Sequence, residues 1–297
     1  MATRGHTIAL KDGTVKVRGR DLEFEDVPVI VKAFRRMVRG LEFDISEMAM
    51  TTYLCARAHG KGFTAIPVFP MRAFHHGAIL YNTKTGVGSP KDLEGRRVGV
   101  NRGYTVTTGL WARGILQHEH GVDLSRVTWV LSGDEHVAEF RPPPNVVAIE
   151  PGRTLEDLLM AGTIAAAIGI KVESPDVQPL IPHARETGFE ALRRGIYPIN
   201  HTVVVRNELL DAEPRLARHL FDAFDEAKRR YVERLRQDRV ESPSAEDDIN
   251  RQVMDITGDP FPYGIESNRP TLEAIVQYAV EQGILSRPVA IEELFAV

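Results

Sequence analysis

Arg72, His75 and His76 stand together directly after the apolar run Pro67-Val-Phe-Pro-Met71, and these side chains are suited to chemistry on a small anion. A guanidinium presents paired donors in one plane and stays charged when partly buried, so Arg72 reads as a carboxylate clamp, with a surface ion pair as its ordinary alternative. Imidazole exchanges protons near neutral pH. His75 and His76 are neighbours and point opposite ways on an extended chain, so one of them, taken as His76, faces a cleft as general acid or base. A structural hydrogen bond is the ordinary use of the same ring.

Three further positions carry comparable chemistry. His201 ends Gly195-Ile-Tyr-Pro-Ile-Asn200 and precedes an apolar strand, where it either exchanges protons with a ligand or hydrogen-bonds across a hinge. Glu47 follows the strand Phe43-Asp-Ile45 and opens a helix that Ser46 can cap, so its carboxylate either favours the helix dipole or orients a histidine or a substrate hydroxyl. Asn101 to Thr108 joins a strand to a helix start. Free N–H groups there, with hydroxyls from Tyr104, Thr105 and Thr107, make an anion site, or serve only to cap the helix.

Other chemistries find no support. His118-Glu-His120 and Asp134-Glu-His136 lack the i, i+4 spacing of a helical zinc site, and no cysteine pair exists, so no metal is expected. The single cysteine, Cys55, lies on the apolar face of a helix as a structural thiol. There is no Gly-x-Ser-x-Gly elbow and no glycine-rich phosphate loop, and no cofactor is expected.

The elements that must position these groups alternate in a βα rhythm. Helices are predicted near 27–39 and 48–58, strands at 63–69 and 77–81, a short helix within 89–95, a strand at 97–100 and a helix over 107–118. Strands at 128–131 and 146–149, a helix at 155–161 and an apolar run at 165–170 complete a second α/β unit. A strand at 202–206 then leads into a long helix over 214–236, a charged surface connection over 237–248 and a final helix at 272–282. Leu216, Leu220, Phe221, Phe224, Ala227 and Tyr231 form a core stripe on the long helix, with a homodimer contact as its alternative use.

With 297 residues, two lobes with a cleft are expected. The 37 basic and 41 acidic residues are spread through the chain, without the basic block that nucleic acid requires. No apolar run reaches the length of a membrane span or a secretory signal, so a cytoplasmic protein without membrane partners is expected.

Five segments together resemble the 4,5-dihydroxyphthalate decarboxylase-like family: Phe43-Asp-Ile-Ser-Glu-Met48, Phe69-Pro-Met-Arg-Ala-Phe-His-His76, Asp92-Leu-Glu-Gly-Arg-Arg-Val-Gly-Val100, Gly195-Ile-Tyr-Pro-Ile-Asn-His201 and Asp259-Pro-Phe-Pro-Tyr-Gly-Ile265. The resemblance spans nearly the whole chain. It implies a two-lobed type II periplasmic-binding-protein-like α/β fold with the ligand between lobes. Lobe 1 would comprise 1–82 and 203–297 and lobe 2 would comprise 83–202, with crossings near Leu80 to Asn82 and Thr202 to Val205. It also implies a buried first strand, yet only six residues precede Thr7, so that strand is shortened. Arg4-Gly-His-Thr7 would fill the polar turn before Ala9-Leu-Lys-Asp-Gly13, making His6 and Thr7 ligand contacts. The implied activity is removal of a carboxylate from a hydroxylated aromatic dicarboxylate, 4,5-dihydroxyphthalate giving protocatechuate. The alternative is a solute-binding protein for a small aromatic carboxylate, which would carry an export leader and has no need of titratable groups beside the ligand. A third is another reaction on an aromatic acid, set by the altered start at Arg4 to Thr7.

Overall fold

The computed structural model describes residues 1–297 as an α/β fold built on two sheets. In chain order the elements are α1 (Ile8–Lys11), α2 (Ile30–Gly40), β1 (Ile45–Ala49), α3 (Met50–Ala58), β2 (Phe63–Arg72), β3 (Ile79–Asn82), β4 (Arg97–Val100), α4 (Thr107–His118), β5 (Thr128–Leu131), β6 (Val146–Ala148), α5 (Leu155–Met160), β7 (Ala166–Ile168), β8 (Val177–Pro179), α6 (Ala184–Arg193), β9 (Ile199–Arg206), α7 (Asn207–Ala212), α8 (Leu216–Arg236), α9 (Ala245–Thr257) and α10 (Arg269–Glu281).

The small sheet has the order β1-β9-β2, with β9 antiparallel to both neighbours. The large sheet runs β6-β5-β4-β7-β3-β8, parallel from β6 to β7 and antiparallel on either side of β3. Short apolar runs such as Arg97-Val-Gly-Val100 suit a parallel strand buried on both faces.

One connected apolar cluster reaches from Val203, Val204 and Val205 in the small sheet to Val98 and Trp129 in the large one. A second, under α5, covers the other face of the large sheet through Val130, Leu158 and Ala167. The stripe on α8 is core: Leu216, Leu220, Phe224, Ala227 and Tyr231 are buried, with Phe221 half-buried. Gly114 lets α10 lie against α4, since a Cβ there would come within 2.2 Å of the Tyr278 ring. No helix is long and apolar enough to cross a membrane.

Four expectations shift. The run Leu80 to Asn82 does not cross between lobes: it lies in β3, which pairs with Ala166–Ile168 on one side and Val177–Pro179 on the other, inside the large sheet. The first crossing therefore falls between Arg72 and Ile79 and the second at Pro198, whose carbonyl accepts from Ala73 N at 3.4 Å. Glu47 does not open a helix; it lies within β1, because the strand continues to Ala49 through its pairing with His201–Val205. Ser46 accordingly caps nothing and donates to the Glu47 carbonyl. Finally, the connection after α8 gives way at Ala245 to α9, which Ser244 and Asp247 start with a reciprocal capping box.

Candidate active site at the seam between lobes

The alternation of β1 puts Glu47 and Ala49 on one face, and its register with β9 sets Ala49 opposite His201. Diagonal neighbours on a shared face are within reach of long side chains, and the small Ala49 leaves room for the imidazole. Glu47 Oε1 meets His201 Nδ1 at 2.6 Å, which leaves Nε2 as the ring nitrogen able to face a ligand.

A turn at the N-terminus brings a third charge. Thr7 Oγ1 accepts from Arg4 N at 2.9 Å and can donate to Ala2 O at 3.1 Å, fixing the turn. Arg4 Nη2 then donates to Glu47 Oε1 at 2.8 Å, while Ala2 N donates to Oε2 at 2.9 Å. Glu47 is only 1% exposed. Burial alone would raise its carboxyl, but the His201 hydrogen bond and the charges of His201 and Arg4 outweigh it and hold the group well below the usual carboxylate range. Phe34 of α2 meets the His201 ring edge-on at 5.0 Å, closing the site on its apolar side.

Beside this triad two helices begin without caps. The N-cap positions are Ala49 for α3 and Val106 for α4, neither able to accept from the free N–H groups. The two starts abut, with Thr51 N donating to Thr107 Oγ1 at 3.2 Å. Thr51 Oγ1, Thr52 Oγ1, Arg4 Nη1 and His136 Nδ1 are buried here without a protein partner. Leaving such an atom unpaired costs about 1–3 kcal/mol, so these four are open to a polar ligand, as are eight further buried side-chain atoms elsewhere in the molecule. Aligned helix starts and a guanidinium suit a carboxylate.

The large-sheet side supplies Tyr104 and Thr105, whose N–H groups, with the Thr105 hydroxyl, hold the Glu135 carboxylate. Arg39 of α2 reaches across to Glu135 O at 2.9 Å and His136 O at 3.2 Å, and Arg35 pairs with Asp134 at 2.7 Å. These contacts draw the lobes together over the seam. His136, packed 6.3 Å from the Phe34 ring, is pushed down to about 4 by burial and then by Arg35 and Arg102.

Glu47, His201 and Thr107 thus meet at one seam, which Tyr104 and Thr105 border through Glu135 and Arg39. The remaining predicted residues lie elsewhere. Arg72 is an internal strut: it donates to Tyr197 O and Pro262 O at 2.9 Å each and to Asn268 Oδ1, with its guanidinium 5.1 Å from the Tyr197 ring. Those donors are occupied by carbonyls and so do not clamp a carboxylate at this seam. His76 is buried against Glu119, Nε2 to Oε2 3.1 Å, beyond the C-terminal end of α4. Twelve helical residues span about 18 Å, so it lies far from Thr107 at the other end. His75 bonds Asn200 Oδ1 at 3.1 Å, and burial pushes it down to about 4. His6 is a core histidine, 4.2 Å from the Phe261 ring and 3.0 Å from Pro70 O, and Thr7 serves the turn that presents Arg4. His118 pairs with Glu281, and no group of three or more His, Cys, Asp or Glu side chains is placed to hold a metal.

Arg4, Phe34, Thr51, Thr52 and Glu135 escaped sequence reading. No local signal pointed to them: the sequence reads as a helix from about 48 capped by Ser46, and its uncapped start after Ala49 follows from the pairing of β1 with β9.

No protein-family model matches the chain. It is 31% identical over 306 residues to a 4,5-dihydroxyphthalate decarboxylase of Comamonas testosteroni, covering 96% of this chain and 92% of that protein. A 4,5-dihydroxyphthalate decarboxylase of Pseudomonas putida is 35% identical over 175 residues, covering 56% of this chain and 66% of that protein. Among solved structures, the periplasmic aliphatic sulphonate binding protein SsuA of Escherichia coli matches with a TM-score of 0.56 at 12% identity, over 98% of this chain and 93% of that one. That likeness shows a periplasmic-binding-protein fold. The first relative is similar over nearly the full length of both chains, and on that similarity this protein belongs to the 4,5-dihydroxyphthalate decarboxylase family.

Proposed function

We propose that this protein is a carboxy-lyase that removes one carboxylate from a hydroxylated aromatic dicarboxylate, 4,5-dihydroxyphthalate, to give protocatechuate. The observation that carries the chemical part is the buried Glu47–His201 pair beside Arg4 and two uncapped helix starts. A protonated His201, oriented by the ionised Glu47, delivers its Nε2 proton to the ring carbon bearing the departing carboxylate. The C–C bond to that carboxylate breaks as the C–H bond forms, and the hydroxyl para to it feeds electrons into the ring. Carbon dioxide leaves, and the imidazole regains its proton from water. The free N–H groups of α3 and α4, the Thr51 and Thr52 hydroxyls and Arg4 Nη1 hold ligand carboxylate.

Helix starts would serve a receptor that merely captures a carboxylate equally well. Capture has no need of the buried acid–imidazole pair, and that pair separates the two readings. The test is to incubate the purified protein with 4,5-dihydroxyphthalate and follow protocatechuate and carbon dioxide, with His201→Asn alongside. Turnover in the wild type, lost in the variant while the fold persists, is the expected result. Calorimetric binding without turnover would make it a binding protein.

A further inference from the structure

Glu135 sits where a ligand's carboxylate would be expected. The N–H groups of Tyr104 and Thr105 and the Thr105 hydroxyl converge on its two oxygens, with Thr105 N at 3.1 Å and Thr105 Oγ1 at 2.6 Å. The backbone is shaped for that approach: a Cβ on Gly103 would lie 2.7 Å from the Glu135 carboxyl carbon and from both oxygens. Beneath the nest Arg113 is wholly buried, its guanidinium 3.9 Å from the centre of the Tyr104 ring and Nη2 donating to Tyr104 O at 2.7 Å. Arg113 Nη1 has no partner. This is more positive character than one half-buried glutamate needs. The main chain at Glu135 is in turn gripped from the other lobe by Arg39.

We propose that the Tyr104–Thr105 nest is a binding subsite for a ligand carboxylate, and that Glu135 is its internal occupant, displaced when a dicarboxylate enters. The inference rests on the proposed substrate class, because adjacent carboxylates on one ring need two anion positions and the Thr51–Thr107 seam supplies one. Two carboxylates cannot share the nest, since like charges in contact repel. A dicarboxylate therefore competes with Glu135, and its entry frees the side chain of the segment that Arg39 holds.

The experiment needs no turnover. Glu135→Ala leaves the nest donors open as well as the Thr51–Thr107 seam, so acetate should raise its melting temperature saturably above a chloride control of equal ionic strength and by more than it raises that of the wild type. The added substitution Thr105→Ala should weaken that response. Phthalate, which lacks the ring hydroxyls, should bind Glu135→Ala about tenfold more tightly than wild type by calorimetry, or about 1.4 kcal/mol. If Glu135→Ala does not fold, Glu135→Gln keeps the volume, turns an amide against the donors and should tighten phthalate in the same direction. Acetate raising the variant no further than the wild type, or phthalate bound equally or more weakly by the variant, overturns the proposal. Acetate rescue in a protein that never releases carbon dioxide would sink the decarboxylase reading and leave this one standing.

Discussion

Glu47→Gln separates the chemical part of the site from its structural part. Three donors converge on this carboxylate: Arg4 Nη2 at 2.8 Å, Ala2 N at 2.9 Å and His201 Nδ1 at 2.6 Å. Glutamine keeps one oxygen for Arg4 and His201, loses the charge, and turns an N–H toward the Ala2 N–H. Arg4 is left without its counter-charge in a setting where its side chain is 11% exposed. Breaking a buried pair from one side costs about 3–5 kcal/mol. Native domains hold about 5–15 kcal/mol, so the variant should fold with a clearly lower urea midpoint. A positioned acid contributes about 10²–10⁴ in rate, and loss of its orienting carboxylate should remove about 10² in kcat, or about 2.7 kcal/mol. Circular dichroism first establishes a temperature at which the variant is folded, and protocatechuate formation is then measured at saturating substrate. A folded Glu47→Gln with kcat within threefold of wild type, whatever its midpoint, would refute the assignment of His201 as a proton donor oriented by this carboxylate.

Arg72→Met should behave in the opposite way. It strands the Tyr197 and Pro262 carbonyls and should lower the unfolding free energy measured in urea by about 2–4 kcal/mol, with kcat of the folded fraction within tenfold of wild type; a stable variant with KM raised a hundredfold would restore Arg72 as a substrate clamp. Stability should also fall in acid. His6, His75 and His136 are held down to about 4 in the folded chain, chiefly by burial, whereas an unfolded histidine titrates near about 6.5. Between those values the unfolded state binds more protons, so unfolding free energy should drop by up to about 4 kcal/mol per pH unit below about 6.5 and be insensitive to these groups above it. Urea midpoints across that range would settle it, and a flat profile from 6.5 to 4.5 would contradict the burial of these rings.

Local pattern carried much of the fold. The helix over Thr107–His118 and the strands Arg97–Val100 and Thr128–Leu131 stand where periodicity puts them, because their apolar spacing and flanking turns act within a few residues. The class followed from the alternation of strands and helices. Cys55 is buried as expected, and burial pushes its thiol up to about 12.

The site was legible as residue types and not as a constellation. Arg72, His75 and His76 are near neighbours in sequence, yet β2 ends and the chain crosses between lobes there, so each side chain leaves in its own direction: to the carbonyls of Tyr197 and Pro262, to Asn200, and to Glu119. Glu47 and His201, 154 residues apart, meet because the register of β1 on β9 puts Ala49 opposite His201. By itself the sequence determined the α/β class, the main elements and the presence of a hydroxyl-rich helix start at Thr107, leaving open whether its hydroxyls cap the helix or meet an anion. Only the tertiary structure decided which acid faces which imidazole, that Arg4 joins them, and that Glu135 already occupies the Tyr104–Thr105 nest. Propensity and periodicity act along a few residues of chain, whereas the pairing of buried polar groups is set by strand register and helix packing between segments that the chain order keeps far apart.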